Sequence, residues 1–222
     1  MHNNLFINRM IVFTRDGKIA YDENFHKGIN IIRGNNSSGK STITHFIFYV
    51  LGGAFNDWVK EAKKCSQVIA EIEINGATLT LKREINLKDG KANRTEGLYI
   101  YWGEKFNFSL SQSKKSYSNV LFENLDIPIV KGENNITMHQ ILRLLYVDQD
   151  SPTNSLFYYE EFDTTLTRET VADLLLGVYN QELYDKKQRK VDADKELDDT
   201  KREIKVIKRF IQNPYDLIPS SL

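Results

Sequence analysis

Residues 34–41, which read Gly-Asn-Asn-Ser-Ser-Gly-Lys-Ser, constrain the fold of this chain more than any other segment. They match the pattern G-x-x-x-x-G-K-[ST] at every fixed position. Glycine lets backbone N–H groups approach an anion closely and adopts left-handed φ, and the lysine adds a positive charge. The short apolar segment 28–33, a predicted strand, precedes the loop and a helical pattern follows it, which is the order of a phosphate-binding loop. The sequence therefore predicts a site for nucleotide phosphates.

Each residue of this loop has an expected role. Lys40 is expected to contact the β- and γ-phosphate oxygens, and the hydroxyl of Ser41 to ligate Mg²⁺. The other residues expected to surround the phosphates are Gly34, Asn35, Asn36, Ser37, Ser38, Gly39 and Thr42. The helical pattern that follows would direct the positive end of a helix dipole at the phosphates. We therefore expect ATP and Mg²⁺ as the cofactors.

The bulk composition excludes several other classes of protein. The 222-residue chain has 30 basic and 30 acidic residues, so its net charge gives no attraction to polyanions. Its single cysteine, Cys65, excludes an intramolecular disulfide and fits a reducing compartment. No stretch approaches the length of about eighteen apolar residues that a transmembrane helix needs. We expect a cytoplasmic protein without a membrane partner.

The first region, about residues 1–55, reads strand, strand, strand and helix. Residues 5–13, 18–25 and 28–33 are the predicted strands. Residues 41–51 carry apolar side chains at helical spacing, and Gly52-Gly53 is expected to end that helix.

The second region, about residues 66–110, has the alternation of antiparallel β structure. Two alternating segments flank Asn75-Gly76, which is the strongest short hairpin signal because both turn positions need φ > 0. A second alternating pair follows at 98–102 and 106–110. The polar stretch 86–96 between the two pairs is expected to be mobile.

The third region is predicted to be mostly helical. Helical patterns cover about 115–125 and 136–143, and a short apolar strand, 144–147, then runs into Asp148-Gln149. Another helix is expected from Arg168 to about Asn180, with Thr167 as its N-cap.

The last helical segment is dominated by charge. Seventeen of the twenty-five residues 185–209 are charged, with both signs interspersed. Leu183, Leu197, Ile204 and Ile211 are seven or fourteen residues apart, a weak heptad pattern that fits the start of a coiled coil. A solvated surface helix explains the same stretch equally well. Asn213-Pro214 is expected to end the helix.

In this order, the two strands, the segment that contains the loop, and the helix ending Val50-Leu-Gly-Gly resemble the N-terminal half of an SMC-type ATPase head. This family includes the structural-maintenance-of-chromosomes proteins, the SbcC-type repair ATPases, RecF and RecN. The hairpins, the apolar strand that leads into a glutamine, and the charged helix follow in the family's order. The resemblance covers roughly residues 1–210, and its specific motif is the phosphate-binding loop.

The resemblance implies an α/β fold of the ABC-type P-loop class, with an antiparallel β subdomain and the start of a coiled-coil arm. Residues 1–180 would form half of an AAA ATPase head and 181–213 the start of the arm, followed by a tail at 214–222. Within the half-head, the implied segments are the P-loop at 34–42, the β lobe at 66–110 and a Q-loop at about 144–150.

Further site residues come from the resemblance alone. Gln149 would sense Mg²⁺ and the attacking water, and so serve as a catalytic and metal-binding residue. Asn36 matches the family's asparagine, whereas Ser37 replaces its usual glycine. If that position needs φ > 0, the serine introduces modest strain.

The resemblance also implies partners. The family's Ser-Gly-Gly signature, Asp-Glu pair and switch histidine lie in a C-terminal half and are not found in this sequence, so we expect a half-head that hydrolyses ATP only when completed. The expected partners are that C-terminal half, a second head in a homodimer, DNA, and a nuclease or effector subunit. The lysines that would touch DNA are Lys60, Lys63, Lys64, Lys114 and Lys115. DNA repair, chromosome organisation and anti-phage defence of the Lamassu type all remain open as the process.

Other functions fit some of the same residues. Asp148 ends an apolar string and would hold Mg²⁺ through water in a self-contained P-loop NTPase. A small-molecule kinase would need a lid arginine, for which Arg83 and Arg94 are the candidates, although each has an ordinary structural explanation. A non-enzymatic assembly module that only binds nucleotide is a third possibility.

Overall fold

The computed structural model describes residues 4–55, 57–85, 87–88, 91–92, 98–102, 106–109, 116–131, 136–147 and 163–212. The chain forms two compact units, Met1–Gly177 and Val178–Leu222, which are described separately.

The first unit is built on one antiparallel sheet. Its strands are β1 Leu5–Thr14, β2 Ile19–Asn24, β3 Cys65–Ile74, β4 Ala77–Glu84, β7 Leu98–Trp102 and β8 Phe106–Ser109, in the order β2-β1-β3-β4-β7-β8. Two short strands, β5 Leu87–Lys88 and β6 Lys91–Ala92, pair with each other within the polar stretch 86–96.

The hairpin predicted around Asn75-Gly76 is confirmed. Asn75 has φ 50° and Gly76 has φ 86°, and the flanking strands pair in register from Ile74 opposite Ala77 to Gln67 opposite Glu84. Alternate residues of β3 are fully or almost fully buried, as the period of two requires. The predicted pairing of 98–102 with 106–110 is confirmed by β7 and β8 over residues 106–109, and residue 110 lies outside the described part of the chain.

The strands of the first region and those of the β lobe belong to one continuous sheet. Strand β1 pairs antiparallel with β3 over its whole length, from Leu5 opposite Ile74 to Thr14 opposite Cys65. Both strands present apolar residues to one face, where Val12 and Val68 are partners in the ladder and neither is exposed. Burying the two apolar faces together favours one continuous sheet.

The strand predicted at residues 28–33 is absent from the described part of the chain. Residues 25–35 have no ladder partner there and form no strand. Ile29 is 83% exposed and Ile31 is 70% exposed. A strand is stabilised by hydrogen bonds to a neighbour, and the described residues provide none for this segment.

Within the described residues there are five α-helices: α1 Lys40–Val50, α2 Tyr117–Asn124, α3 Met138–Leu145, α4 Thr165–Leu175 and, in the second unit, α5 Gln181–Gln212. The predicted helices at 41–51, 115–125 and 136–143 correspond to α1, α2 and α3. Helix α1 packs against β3 and β4. Its buried face includes Phe46, Tyr49 and Val50, so the helix after the loop is fixed to the centre of the sheet.

Two boundaries in the helical region differ from prediction. The apolar segment 144–147 is not a strand, because α3 continues through Leu145 and the two residues after it join no ladder. Helix α4 begins at Thr165, and its N-cap is Thr164 rather than Thr167. The Thr164 side chain accepts a hydrogen bond from the backbone N–H of Thr167. Both positions are threonines, so the sequence alone does not show which of them is the N-cap and which is the residue whose N–H it binds.

The second unit contains α5, a single helix of 32 residues over the charged segment. Leu183, Leu197 and Ile204, which carry the weak heptad pattern, are each about half exposed. Their pairing with a second coiled-coil arm stays a prediction. Within the described residues, no helix combines the length and apolar character needed to cross a membrane.

Candidate functional site

The N-terminus of α1 is built as an anion site. Gly39 is the N-cap and has φ 89° and ψ 12°, and the first helical hydrogen bond runs from Ile43 N–H to Gly39 O over 3.0 Å. The first four N–H groups of a helix have no intrahelical acceptor. In the part of the chain that the structure describes, no side chain caps them, and the first turn holds no acidic residue. These amides, at the positive end of the helix dipole, are therefore available to a phosphate.

Two residues of the loop show why the motif has its composition. A Cβ on Gly34 would lie 2.6 Å from Ser38 Oγ, so a side chain there would force the Ser38 hydroxyl to move. Ser37 has φ 63°, which is the left-handed region. The condition under which serine introduces strain at this position is thus met, and the strain amounts to about 1–2 kcal/mol.

Lys40 spans the mouth of the loop. Its Nζ donates hydrogen bonds to Gly34 O over 2.9 Å and to Asn35 O over 2.7 Å. An ammonium group has three N–H donors. These two bonds hold the positive charge in place across the loop, where phosphate oxygens would meet it.

A cleft of about 790 Å³ opens beside this loop. Seven of the predicted site residues line it, namely Asn36, Ser37, Ser38, Gly39, Lys40, Ser41 and Thr42. Gly34 and Asn35 are not among the lining residues, but they provide the carbonyls that Lys40 contacts. Ser41 is exposed at the start of α1. Its hydroxyl is a hard oxygen donor of the kind that Mg²⁺ prefers, so the residues present fit that ion.

Val59 and Glu61 also line the cleft, and sequence reasoning missed both. They follow Trp58, which is 2% exposed and packs on the rings of Phe46 and Tyr49 at centroid distances of 5.0 and 5.1 Å. This anchor places the segment beside the phosphate loop. No local motif marks the two residues, because they reach the cleft through tertiary packing of a neighbouring tryptophan.

Arg83 lies at the opposite end of α1. It is 6% exposed, and its Nη1 donates to Tyr49 O over 2.5 Å and to Gly53 O over 2.6 Å. Its guanidinium carbon lies 3.7 Å from the centroid of the Tyr49 ring. The residue therefore caps the C-terminus of α1, and the idea that it serves as a lid arginine is wrong.

Two tyrosine hydroxyls also donate hydrogen bonds to backbone carbonyls near the C-terminus of α1. Tyr49 Oη donates to Glu84 O over 2.7 Å, and Tyr117 Oη donates to Val50 O over 2.5 Å. Burial raises the pKa of both phenols above the ordinary value, so they stay protonated and keep donating at any physiological pH.

Several predicted residues lie outside the described part of the chain. These are Gln149 and Asp148, the lysines 114 and 115, and Arg94. The nearest described residue to the first two is Val147, which follows Tyr146. The hydroxyl of Tyr146 lies 3.3 Å from Thr44 Oγ1 on the first turns of α1.

A glycine-containing loop, a lysine held across its mouth and a helix N-terminus without a side-chain cap define a P-loop nucleotide-binding protein. The chain belongs to the AAA domain family (AAA_23), whose model matches residues 7–214. Membership places it among the P-loop ATPases, which bind nucleotide and typically use Mg²⁺. A comparison with curated proteins found no match for this chain.

Proposed function

We propose that this chain is the ATP-binding N-terminal half of an SMC- or SbcC-type ATPase head, which is completed by a C-terminal half. The observation that carries the proposal is the exposure of Ile29 and Ile31 immediately before the phosphate loop. Side chains of this size are normally covered, because each stabilises a fold by about 1.5–3 kcal/mol when buried. Their exposure supports a role as the surface on which the other half of the head packs.

The backbone of the same segment supports this proposal. A P-loop typically follows a strand inside a sheet, and buried strands of parallel sheets are continuous apolar runs. Residues 28–33 have that composition, yet no described strand pairs with them. Strands of the C-terminal half would supply the missing ladder and turn the segment into the strand that its sequence predicts.

In the nucleotide-bound state, the loop amides and Lys40 would hold the phosphates, and Ser41 would ligate Mg²⁺. The ion would supply charge neutralisation on the phosphate oxygens. Val59 offers half-exposed apolar surface, and Glu61 offers a carboxylate acceptor. We propose that these two residues contact the nucleoside part of ATP.

Gln149 is proposed as the residue that senses Mg²⁺ and the attacking water. It follows Tyr146 by three positions, which restricts it to about 11 Å from that residue. The contact of Tyr146 with the first turns of α1 is the observation that supports this proposal.

The wider assembly is proposed by the same reasoning. Two heads would enclose two ATP molecules, and α5 would continue as a coiled-coil arm in which its half-exposed apolar residues find partners. DNA is the proposed polymer partner. Lys60, Lys63 and Lys64 lie exposed on one short segment beside the cleft. Repair, chromosome organisation and defence with an effector subunit remain alternative processes.

The decisive experiment compares ATP turnover by this chain alone with turnover when it is co-expressed with the segment encoded downstream. We expect low turnover alone and an increase of at least about tenfold in the combined protein, because several catalytic groups come from the second half. Full turnover by the isolated chain would refute the proposal and favour a self-contained NTPase that uses Asp148.

A matched variant tests the surface that carries the proposal. Replacing Ile29 and Ile31 together with threonine keeps β propensity but removes apolar area. We expect weaker association with the C-terminal segment and unchanged unfolding of the isolated chain, since both side chains are already exposed. The control exchanges Ile19 for threonine, because this residue is 57% exposed on β2 and precedes no phosphate loop. Equal binding by all three proteins would contradict the assignment of this surface.

A further inference from the structure

We propose that Thr44 and Tyr146 are positioning residues that fix the first turn of α1, and with it the hydroxyl of Ser41, relative to the chain that leaves α3. The inference rests on the proposed function, because it concerns Mg-ATP bound at the phosphate loop. Neither residue lines the cleft. Each therefore acts through Ser41 and not on the nucleotide itself.

Two hydrogen bonds form the connection. Thr44 Oγ1 donates to Ser41 O over 2.8 Å. A hydroxyl has one proton, so the contact of 3.3 Å between Thr44 Oγ1 and Tyr146 Oη is donated by the tyrosine. These two partners are 102 positions apart in the chain. The link thus joins the turn that holds Ser41 to a distant segment.

Packing holds the Tyr146 ring against α1. Its centroid lies 5.0 Å from that of Phe48 and 6.1 Å from that of His45. Tyr146 is also the C-cap of α3, with φ −105° and ψ 123°, so the chain becomes extended there. The residue that touches the first turns of α1 is therefore the one at which the backbone leaves α3.

Helix α3 is attached to α1 at a second point. The backbone N–H of Ala54, just beyond α1, donates to His139 Nδ1 over 3.0 Å, and the His139 ring packs edge-on against Phe48. An ion pair of 2.7 Å between Arg143 and Asp163, both side chains under 10% exposed, further restrains α3. Because these contacts restrain α3 near both of its ends, they also restrain the position of Tyr146 relative to Thr44.

The consequence concerns Mg²⁺ more than the phosphates. Mg²⁺ demands near-ideal octahedral geometry, so the affinity of a site depends on the exact placement of its ligands. Phosphate binding uses several backbone amides and Lys40, and it tolerates small movements of one hydroxyl. Loss of the Tyr146 contact should therefore weaken Mg²⁺ binding in the nucleotide complex and leave binding of free ATP almost unchanged.

The test uses the full chain and the variants Tyr146→Phe and Thr44→Val. ATP binding is measured by calorimetry over a series of Mg²⁺ concentrations and, separately, with a chelator. We expect the Mg²⁺ concentration at half-saturation to rise about three- to tenfold, as the loss of one hydrogen bond implies, with ATP affinity in the chelator within about twofold of wild type. Thr44→Ser keeps the hydroxyl and should restore the wild-type value. Hydrogen exchange at the Ile43 amide, the first N–H paired within α1, should accelerate in the two variants.

Tyr117→Phe is the matched control, because it removes a buried tyrosine hydroxyl from the far end of α1. It should lower the unfolding temperature and leave the Mg²⁺ requirement unchanged. Wild-type Mg²⁺ dependence in Tyr146→Phe, or an equal shift in Tyr117→Phe, would overturn the positioning role while leaving the proposed function intact. Failure of the wild-type chain to bind ATP at any Mg²⁺ concentration would overturn both.

Discussion

The two ends of α1 differ in whether side chains pair with the backbone groups that the helix leaves unpaired. Every α-helix leaves N–H groups unpaired at one end and carbonyls unpaired at the other. At the C-terminus, the carbonyls of Tyr49 and Val50 receive buried side-chain donors from Arg83 and Tyr117. At the N-terminus, no side chain caps the N–H groups, and the loop before them is exposed. The carbonyls at the C-terminus of α1 are thus paired within the protein, whereas the N–H groups at its N-terminus can still donate to a ligand.

The largest effect on stability is expected at the C-terminus of α1. Arg83→Met should lower the free energy of unfolding by about 3–5 kcal/mol, because two buried carbonyls lose a charged donor. Urea unfolding followed by circular dichroism measures the change. Lys82→Met, on the next position and the other face of the sheet, should lower it by less than about 1 kcal/mol. A similar loss in both variants would show that the capping contacts have no special importance.

A substitution at the N-terminus of α1 should instead weaken ligand binding and leave stability almost unchanged. Lys40→Ala should weaken ATP binding roughly a hundredfold, which corresponds to about 3 kcal/mol, with almost no loss of stability. Among the described residues, the lysine side chain donates to two exposed loop carbonyls, so we expect the fold not to depend on it. Calorimetric titration and thermal unfolding of the same sample separate the two quantities. Lys18→Ala, on the turn between β1 and β2, is the control. ATP affinity at the wild-type level in Lys40→Ala would rule out this phosphate site.

A smaller effect is expected for a neutral donor at the C-terminus of α1. Tyr117→Phe should cost about 1–2 kcal/mol of stability, since Val50 O then stays buried without this partner. Thermal unfolding measures the change, and Tyr21→Phe on the exposed strand β2 serves as the control. ATP affinity in the presence of saturating Mg²⁺ should stay unchanged. A weaker ATP affinity in this variant would mean that the two ends of α1 are not independent.

The smallest effect is expected within the loop. Ser37→Gly relieves the left-handed strain of about 1–2 kcal/mol but increases the freedom of the unfolded chain at a cost of about 1 kcal/mol, so stability should rise by no more than about 1 kcal/mol. Ser38, whose φ is not positive, lacks the strain that offsets this entropy. Ser38→Gly should therefore lower stability by about 1 kcal/mol. Equal losses in the two glycine variants, seen in parallel thermal melts, would argue against strain at Ser37.

The features that sequence predicted are those that local chemistry determines. Asn75-Gly76 forms its hairpin because both residues tolerate φ > 0, and Gly52-Gly53 follows α1 directly. The anion-binding arrangement at residues 34–41 is likewise local, since its amides, glycines and lysine are adjacent in the chain. The identification of these residues as an ATP site stays a prediction from the motif and the geometry.

The features that sequence could not predict depend on distant partners. Residues 28–33 have the composition of a strand, but a strand also needs a neighbour that the described chain does not supply. The joining of β1 to β3 depends on a pairing of residues about sixty positions apart. Val59 and Glu61 reach the cleft because Trp58 is buried elsewhere, so no pattern within their own segment identifies them.

Because β1 lies inside the sheet, one of its edges stays unpaired during translation until β3 has been made. Leu5 is made early, but its partner Ile74 follows almost seventy residues later. At about 5–20 residues per second, the ribosome needs roughly 3–14 s to cover that distance. During this interval one edge of an apolar strand stays open to pairing with other nascent chains. We expect newly made protein to require a chaperone until β3 emerges, and slower translation to increase its aggregation.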